Sequence, residues 1–308
     1  MNWYGVMPAI TTPFDLDLKV DHHYLAQHAA WLLGNGCTGL VMLGSLGEGA
    51  TLEHDEKIAI LKTAVRVAGG KVPVVASISS LSTAKAIELA KEAEQAGCSG
   101  LMVLPPYVYT SDWREMQHHV SAVISATTLP VMLYNNPVAY KTDFLPEQIV
   151  ELAQSHANLA AVKESSADVR RVAAIRALLG GRLEIFVGVD DVLVEGVAAG
   201  AKGWVAGLVN AYPAESVQLF NLAMEGKSAE AFELYRWFLP LLRMDTVPKF
   251  VQLIKWVQEQ AGVGSARVRP PRLEIAGAEL EEAQAVYAKA VASRPQVSEK
   301  PFSDFAGA

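Results

Sequence analysis

The chain has 308 residues, 51% of them hydrophobic and 19% charged, with a net charge of -7. That length suits one large α/β domain or two ordinary ones, and an acidic chain without a long basic run makes a poor nucleic-acid partner. No uncharged apolar run reaches the roughly 18 residues of a membrane span, and Met1 to Pro13 lacks a basic segment followed by a long apolar core, so the expectation is a cytoplasmic protein.

Taken in order, the chain repeats one local pattern. Asn35-Gly36-Cys37-Thr38-Gly39 precedes Leu40-Val41-Met42-Leu43, Ala96-Gly97-Cys98-Ser99-Gly100 precedes Leu101-Met102-Val103-Leu104, and Ala199-Gly200-Ala201-Lys202-Gly203 precedes Trp204-Val205-Ala206. Each reads as a helix ending at a glycine, a tight turn and a buried strand. The two cysteines sit inside these turns and read as small buried residues rather than a disulfide. Filling the gaps predicts strands over Gly5–Ile10, Gly39–Leu43, Val72–Ser77, Gly100–Leu104, Pro130–Tyr134, Leu159–Lys163, Leu183–Gly188 and Gly203–Ala206. Helical patterns fall between them at Asp21–Leu33, Glu53–Val67 (with Thr51 as a candidate cap), Ser82–Ala96, Ser111–Ala126, Pro146–Gln154, Asp168–Leu179 and Asp191–Ala199.

Eight strand–helix alternations predict an α/β fold, a (β/α)8 TIM barrel over residues 1–212. A doubly wound sheet is the alternative, but its glycine-rich phosphate turn is missing. After Pro213 the pattern is helical: Glu215–Met224, Ser228–Leu242, Val247–Gln260 and Ala278–Ala292. Residues 213–292 therefore read as a C-terminal helical extension and 293–308 as a loose tail.

In such a barrel the chemistry gathers where strands end. The sixth strand, Leu159-Ala160-Ala161-Val162, runs straight into Lys163. An ammonium facing an apolar interior loses stability, and the neutral amine so favoured is what Schiff-base formation needs. The second strand ends in Gly44-Ser45-Leu46-Gly47-Glu48-Gly49, a turn whose N–H groups and Ser45 hydroxyl suit a carboxylate. Tyr107 and Tyr109 follow the fourth strand and Tyr134 ends the fifth, where a phenol can move protons. Asp190 and Asp191 follow the seventh, in a place that also suits a helix cap. His22, His23, His118 and His119 fall on predicted exposed helix faces, and no metal-ligand spacing occurs, so no metal is expected.

Gly5 through Thr12-Pro13-Phe14, Gly44-Ser45-Leu46-Gly47-Glu48, Tyr134-Asn135-x-Pro137, Val162-Lys163-Glu164-Ser165 and Gly188-x-Asp190-Asp191 occur in the order and spacing of one family. Over about residues 3–275 the chain resembles the dihydrodipicolinate synthase / N-acetylneuraminate lyase family. The resemblance implies a (β/α)8 barrel, usually a homotetramer or homodimer, that needs no cofactor beyond a covalent lysine Schiff base. It implies Lys163 as nucleophile, Tyr134 as general acid and base, and Tyr107 as a tyrosine reaching a neighbouring subunit's site. The implied substrate-binding set is Ser45, Leu46, Gly47, Asn136, Ala139, Gly188 and Gly207.

Two positions depart from the synthases. Leu46 replaces a hydroxyl residue, which is expected to break the hydroxyl relay between the tyrosines, and Ala139 replaces an arginine that grips a second carboxylate. Further segments, Tyr134-Asn135-Asn136-Pro137-Val138, Gly207-Leu208-Val209-Asn210-Ala211 and Tyr235-Arg236-Trp237 among them, resemble the family's deaminase branch acting on 1-pyrroline-4-hydroxy-2-carboxylate in hydroxyproline degradation. The expected substrate is thus a small 2-oxo acid or cyclic imine. The alternatives are a pyruvate-dependent aldolase or hydratase-aldolase, a 4-hydroxy-tetrahydrodipicolinate synthase, and a non-catalytic ligand-binding barrel.

Overall fold

The computed structural model describes residues 1–106 and 109–308. All eight expected strands form: β1 (Gly5–Pro8), β2 (Leu40–Met42), β3 (Val74–Ile78), β4 (Gly100–Val103), β5 (Val131–Asn135), β6 (Leu159–Glu164), β7 (Glu184–Val187) and β8 (Gly203–Ala206). They pair in parallel in the order β1-β8-β7-β6-β5-β4-β3-β2. A parallel bridge between Ala9 and Val41, with Ile10 N–H donating to the Val41 carbonyl at 2.9 Å, joins β1 to β2 and closes the barrel. Side chains fill one side of the barrel wall and helices cover the other, so strands such as Leu40-Val41-Met42 and Val131-Met132-Leu133 are apolar at consecutive positions and fully buried.

The helices of the barrel are α1 (His22–Gly34), α2 (His54–Ala68), α3 (Thr83–Gln95), α4 (Trp113–Ile124), α5 (Pro137–Tyr140), α6 (Pro146–Ser155), α7 (Arg170–Leu179), α8 (Leu193–Ala198) and α9 (Pro213–Met224), the last following β8 as the eighth unit's helix. Ser82 caps α3 by accepting from Lys85 N–H. Thr51 does not cap α2; it ends a 3-10 turn, and Glu53 and Glu56 form the capping box instead. Asp112 and Glu115 form the box of α4, so that helix starts later than its polar run suggests. His119 is buried, not exposed, because it turns toward α3 and its Nδ1 pairs with the Thr83 hydroxyl at 3.0 Å. Cys37 and Cys98 are both buried and free. Among the described residues no helix is long and apolar enough to cross a membrane.

α10 (Ser228–Leu242), α11 (Phe250–Gln260) and α12 (Ala278–Ala292) complete the chain's helices beyond the barrel. Residues 293–308, expected as a loose tail, lie docked along α1. Trp31 Nε1 donates to the Lys300 carbonyl at 2.8 Å, Lys300 N–H donates to Asn35 Oδ1 at 2.8 Å, and Arg294 pairs with the buried Glu215 at 2.6 Å. Phe302 and Phe305 pack against the core. Two aromatic anchors hold this segment where composition alone suggested disorder.

One buried ion pair ties the extension to the floor of the site. Lys255 of α11 reaches Glu48 at 2.8 Å and donates to the Thr12 carbonyl at 2.9 Å, and Glu48 also accepts from Arg269 N–H at 3.0 Å. Lys255 and Glu48 are 2% and 0% exposed, so neither charge has water to fall back on. Removing one partner strands the other. Lys255→Met is expected to cost about 3–5 kcal/mol in chemical denaturation. Lys255→Met with Glu48→Gln should recover most of that loss.

Candidate active site

Lys163 and Tyr134 stand side by side at the C-terminal ends of β6 and β5, in direct register across the two strands. Each is 6% exposed. The lysine Nζ lies 4.2 Å from the centroid of the tyrosine ring. Burial holds the ammonium down at about 8, against the opposing pull of Asp245 and Asp190. Burial likewise pushes the Tyr134 phenol up to about 12, opposed by hydrogen bonding from Asn136. An amine within reach of neutrality beside a phenol that keeps its proton can add to a carbonyl or imine and have protons delivered or removed nearby.

The turn after β5 sets the position of Tyr134. Asn136 caps α5, accepting from Ala139 N–H at 2.9 Å through Oδ1, while its Nδ2 donates to the Tyr134 hydroxyl at 3.0 Å. Pro137 at the first helical position stiffens the turn. The one-turn helix carries Tyr140, a residue absent from the sequence-based site. Its ring meets Tyr134 edge-on, centroids 5.8 Å apart at 86°, and its hydroxyl forms a short hydrogen bond with Ser45 Oγ. The Ser45 turn is thus linked to Tyr140, while Leu46 is buried in the core and makes no part of that contact. Ala139 lies exposed on α5. Tyr107 lies outside the described residues.

In the turn after β2, the N–H groups of Ser45, Leu46 and Gly47 have no protein partner among the described residues. The Gly47 carbonyl is held by the Thr12 hydroxyl at 2.6 Å, which fixes the turn from behind. Three unpaired N–H groups beside a hydroxyl make a cradle for an anion.

Beyond β7 and β8 the surroundings of Lys163 are acidic. Asp190 is fully buried and does more than cap a helix: it accepts from Trp204 Nε1 at 2.9 Å, from Gly207 N–H at 3.1 Å and from Leu208 N–H at 2.8 Å, tying the ends of the two strands together. Asp245, in the 3-10 turn after α10, is half-buried against Gly207, where any Cβ would collide with its carboxylate. That turn is latched to the β7 end by Arg243 facing Asp191 at 3.5 Å and by the Tyr235 hydroxyl donating to the Asp191 carbonyl. Burial and the neighbouring Asp190 hold the Asp245 carboxyl well above the usual range. Gly188 is needed for space: a Cβ there would overlap Ser165 Oγ and come within 2.6 Å of Lys163 Cε.

Of the residues expected from sequence, Lys163, Tyr134, Asn136, Ser45, Gly47, Gly188 and Gly207 surround this one region, Leu46 belongs to the core, and Ala139 sits on the rim. Tyr140 and Asp245 are additions. Residues 2–290 match the Dihydrodipicolinate synthetase family. The 4-hydroxy-tetrahydrodipicolinate synthase of Desulforamulus reducens is 31% identical over 276 residues, 90% of this chain and 93% of its own. That of Mesorhizobium japonicum is 32% identical over 271 residues, 88% and 92% of the two chains. Two solved structures superpose closely. The 4-hydroxy-tetrahydrodipicolinate synthase of Methylacidiphilum fumariolicum SolV gives a TM-score of 0.90 at 27% identity, covering 94% of this chain and 97% of that one. The chloride-inhibited dihydrodipicolinate synthase of Acinetobacter baumannii, complexed with pyruvate, gives 0.87 at 27% identity, with 94% and 99% covered. A match running through the barrel and nearly all of the helical extension, joined by relatives alike along almost their whole length, makes this chain a member of the dihydrodipicolinate synthetase family and a Schiff-base lyase.

Proposed function

We propose that the enzyme opens and deaminates 1-pyrroline-4-hydroxy-2-carboxylate, giving 2,5-dioxopentanoate and ammonia, with Lys163 as the nucleophile. The observation that carries this reading is the asymmetry around Lys163. One anion cradle lies at Ser45–Gly47, while position 139 is an alanine rather than an arginine and, among the described residues, no cation is paired with Asp245. A substrate with one carboxylate and one basic nitrogen fits that charge pattern.

The chemistry rests on the groups present. The neutral Lys163 amine adds to C2 of the protonated ring imine. The ring C2–N bond breaks, one Lys163 proton passes to the ring nitrogen, and the product is a lysine Schiff base with a free amine on C5. The Schiff base acidifies C3–H, and Tyr134 carries that proton to the C4 hydroxyl, which leaves as water. Proton shifts bring the new double bond to C5 as an imine. One water cleaves that imine to aldehyde and ammonia, and a second frees Lys163, so net one water is consumed. Tyr140 and Ser45 extend the proton path from Tyr134 toward the anion cradle.

A second reading, 4-hydroxy-tetrahydrodipicolinate synthase, is favoured by the names of the relatives and by the pyruvate in the Acinetobacter structure. It asks the site to hold a second carboxylate. Without a guanidinium at Ala139, that carboxylate forgoes a charge-assisted contact worth about 1.5–3 kcal/mol and meets Asp245. The test is ammonia release from the cyclic imine beside consumption of pyruvate with aspartate semialdehyde. Ammonia with 2,5-dioxopentanoate is expected; pyruvate consumption without ammonia would assign the enzyme to the synthase or aldolase branch.

Gly188 offers a check on how tightly Lys163 must be held. Gly188→Ala pushes a methyl group into Ser165 and the lysine stem. Displacement of a reacting group by about 1 Å costs on the order of 10²-fold, so kcat/KM should fall by roughly that much while circular dichroism stays unchanged. We further infer that the protein acts as a homotetramer or homodimer, a reading supported by exposed Leu81 and Tyr109 flanking Pro106 on one face.

A further inference from the structure

We propose that Asp245 is the subsite for a basic nitrogen on the substrate, and so decides between nitrogen-bearing and carboxylate-bearing 2-oxo acids. This deepens the deaminase reading and rests on Lys163 being the nucleophile. Three observations carry it. First, the Asp245 carboxylate makes no hydrogen bond or ion pair among the described residues, although Lys163, its strongest cationic influence, stands across the site. Second, the carboxylate is built into place: Gly207 gives it space, and the Arg243–Asp191 and Tyr235–Asp191 contacts clamp its turn to β7. Third, Ser165 Oγ beside Lys163 is 1% exposed and makes no hydrogen bond of good geometry among the described residues, although it lies close enough to Tyr134 to influence the phenol. It is a buried polar atom that a bound ligand would satisfy. Asp190, the other acid near Lys163, is already engaged by Trp204, Gly207 and Leu208.

In the ring-opening step the nitrogen leaves C2 as a primary amine. A protonated Asp245 gives its proton to that amine and becomes the carboxylate of an ion pair, so the charge created on nitrogen is met where it forms. Burial and Asp190 favour the protonated starting state. A substrate ending in a carboxylate has no proton to take up at that place and finds no cation paired there among the described residues.

The experiment compares borohydride trapping of two five-carbon acids that differ at the far end: 1-pyrroline-2-carboxylate, the ring form of 5-amino-2-oxopentanoate, and 2-oxoglutarate. Each rate is divided by the same protein's rate with pyruvate, which cancels any change in Lys163 reactivity. The wild-type protein is expected to favour the nitrogen-bearing acid by about 10-fold or more. In Asp245→Asn, a nearly isosteric change, the preference should shrink to within about threefold. An equal ratio in the wild type, or a ratio untouched by Asp245→Asn, overturns the subsite. A wild-type preference that Asp245→Asn abolishes, without ammonia release from the hydroxypyrroline, would sink the deaminase reading and leave the subsite standing.

Discussion

Lys163→Ala is expected to lower turnover by at least about 10⁴-fold and to abolish borohydride trapping, with the barrel intact. In the proposed mechanism its side chain contributes the nucleophile, and no neighbour would replace it. Lys255 is the instructive contrast, since burial lowers it to about 8 as well. Lys255 is locked against Glu48 and the Thr12 carbonyl and is 2% exposed, so its amine has neither a free lone pair nor a path to substrate. Lys163 lies over the Tyr134 ring, with Asp245 and Asp190 near enough to act on its charge. The depressed value also fixes a pH dependence. Below about 8 the Lys163 ammonium accumulates, and kcat/KM should fall by about tenfold per pH unit; above it the neutral amine dominates and the curve levels. A profile flat through that region would remove the amine from the rate-limiting addition.

Tyr134→Phe is expected to lower kcat by about 10²–10⁴-fold while leaving a Schiff base that borohydride still traps. The ring remains, and with it the apolar face under the lysine. What goes is the hydroxyl that Asn136 holds at 3.0 Å and that leads on toward Tyr140 and Ser45. Loss of turnover with retained trapping separates proton transfer from nucleophilic addition. If trapping disappears together with turnover, the tyrosine serves the lysine rather than the later proton transfers.

Much of the fold was legible because a parallel barrel leaves strong marks. Strands buried on both faces read as apolar runs, and Gly36, Gly97 and Gly200 each stop a helix at positive φ just before a strand. Lys163 and Tyr134 were legible for the same reason: each polar group ends an apolar run that could only be a buried strand. Tyr140 was not. It belongs to a single turn of helix too short to show periodicity, although Asn136 followed by Pro137 was the signal, a capping residue before a proline that starts helices. Asp245 lies far along the chain in a 3-10 turn of the helical extension, and nothing local in Arg243-Met244-Asp245 says that it folds back over β7 and β8. The docked tail escaped for a related reason. Its composition is that of a disordered end, and its order comes from Phe302 and Phe305 meeting α1 and the core, a tertiary effect outside any local pattern. His119 falls in the stripe of Met116, His119, Val120 and Val123 that α4 buries, while His118, one position earlier on the same helix, is exposed.

The departures at Leu46 and Ala139 were visible in the sequence but weigh differently in the fold. Leu46 is buried in the core, while its neighbour Ser45 makes the hydroxyl contact with Tyr140. Ala139 lies exposed on α5, and the proposal that the site takes one carboxylate rests on its carrying no charge there.

The most direct test of Lys163 as the nucleophile is borohydride reduction of the wild-type enzyme during turnover of 1-pyrroline-4-hydroxy-2-carboxylate, with peptide mass mapping of the product. The prediction is a five-carbon adduct on the peptide carrying Lys163 alone, formed while ammonia is released. An adduct on another lysine, or steady ammonia release with no adduct on Lys163, would contradict it.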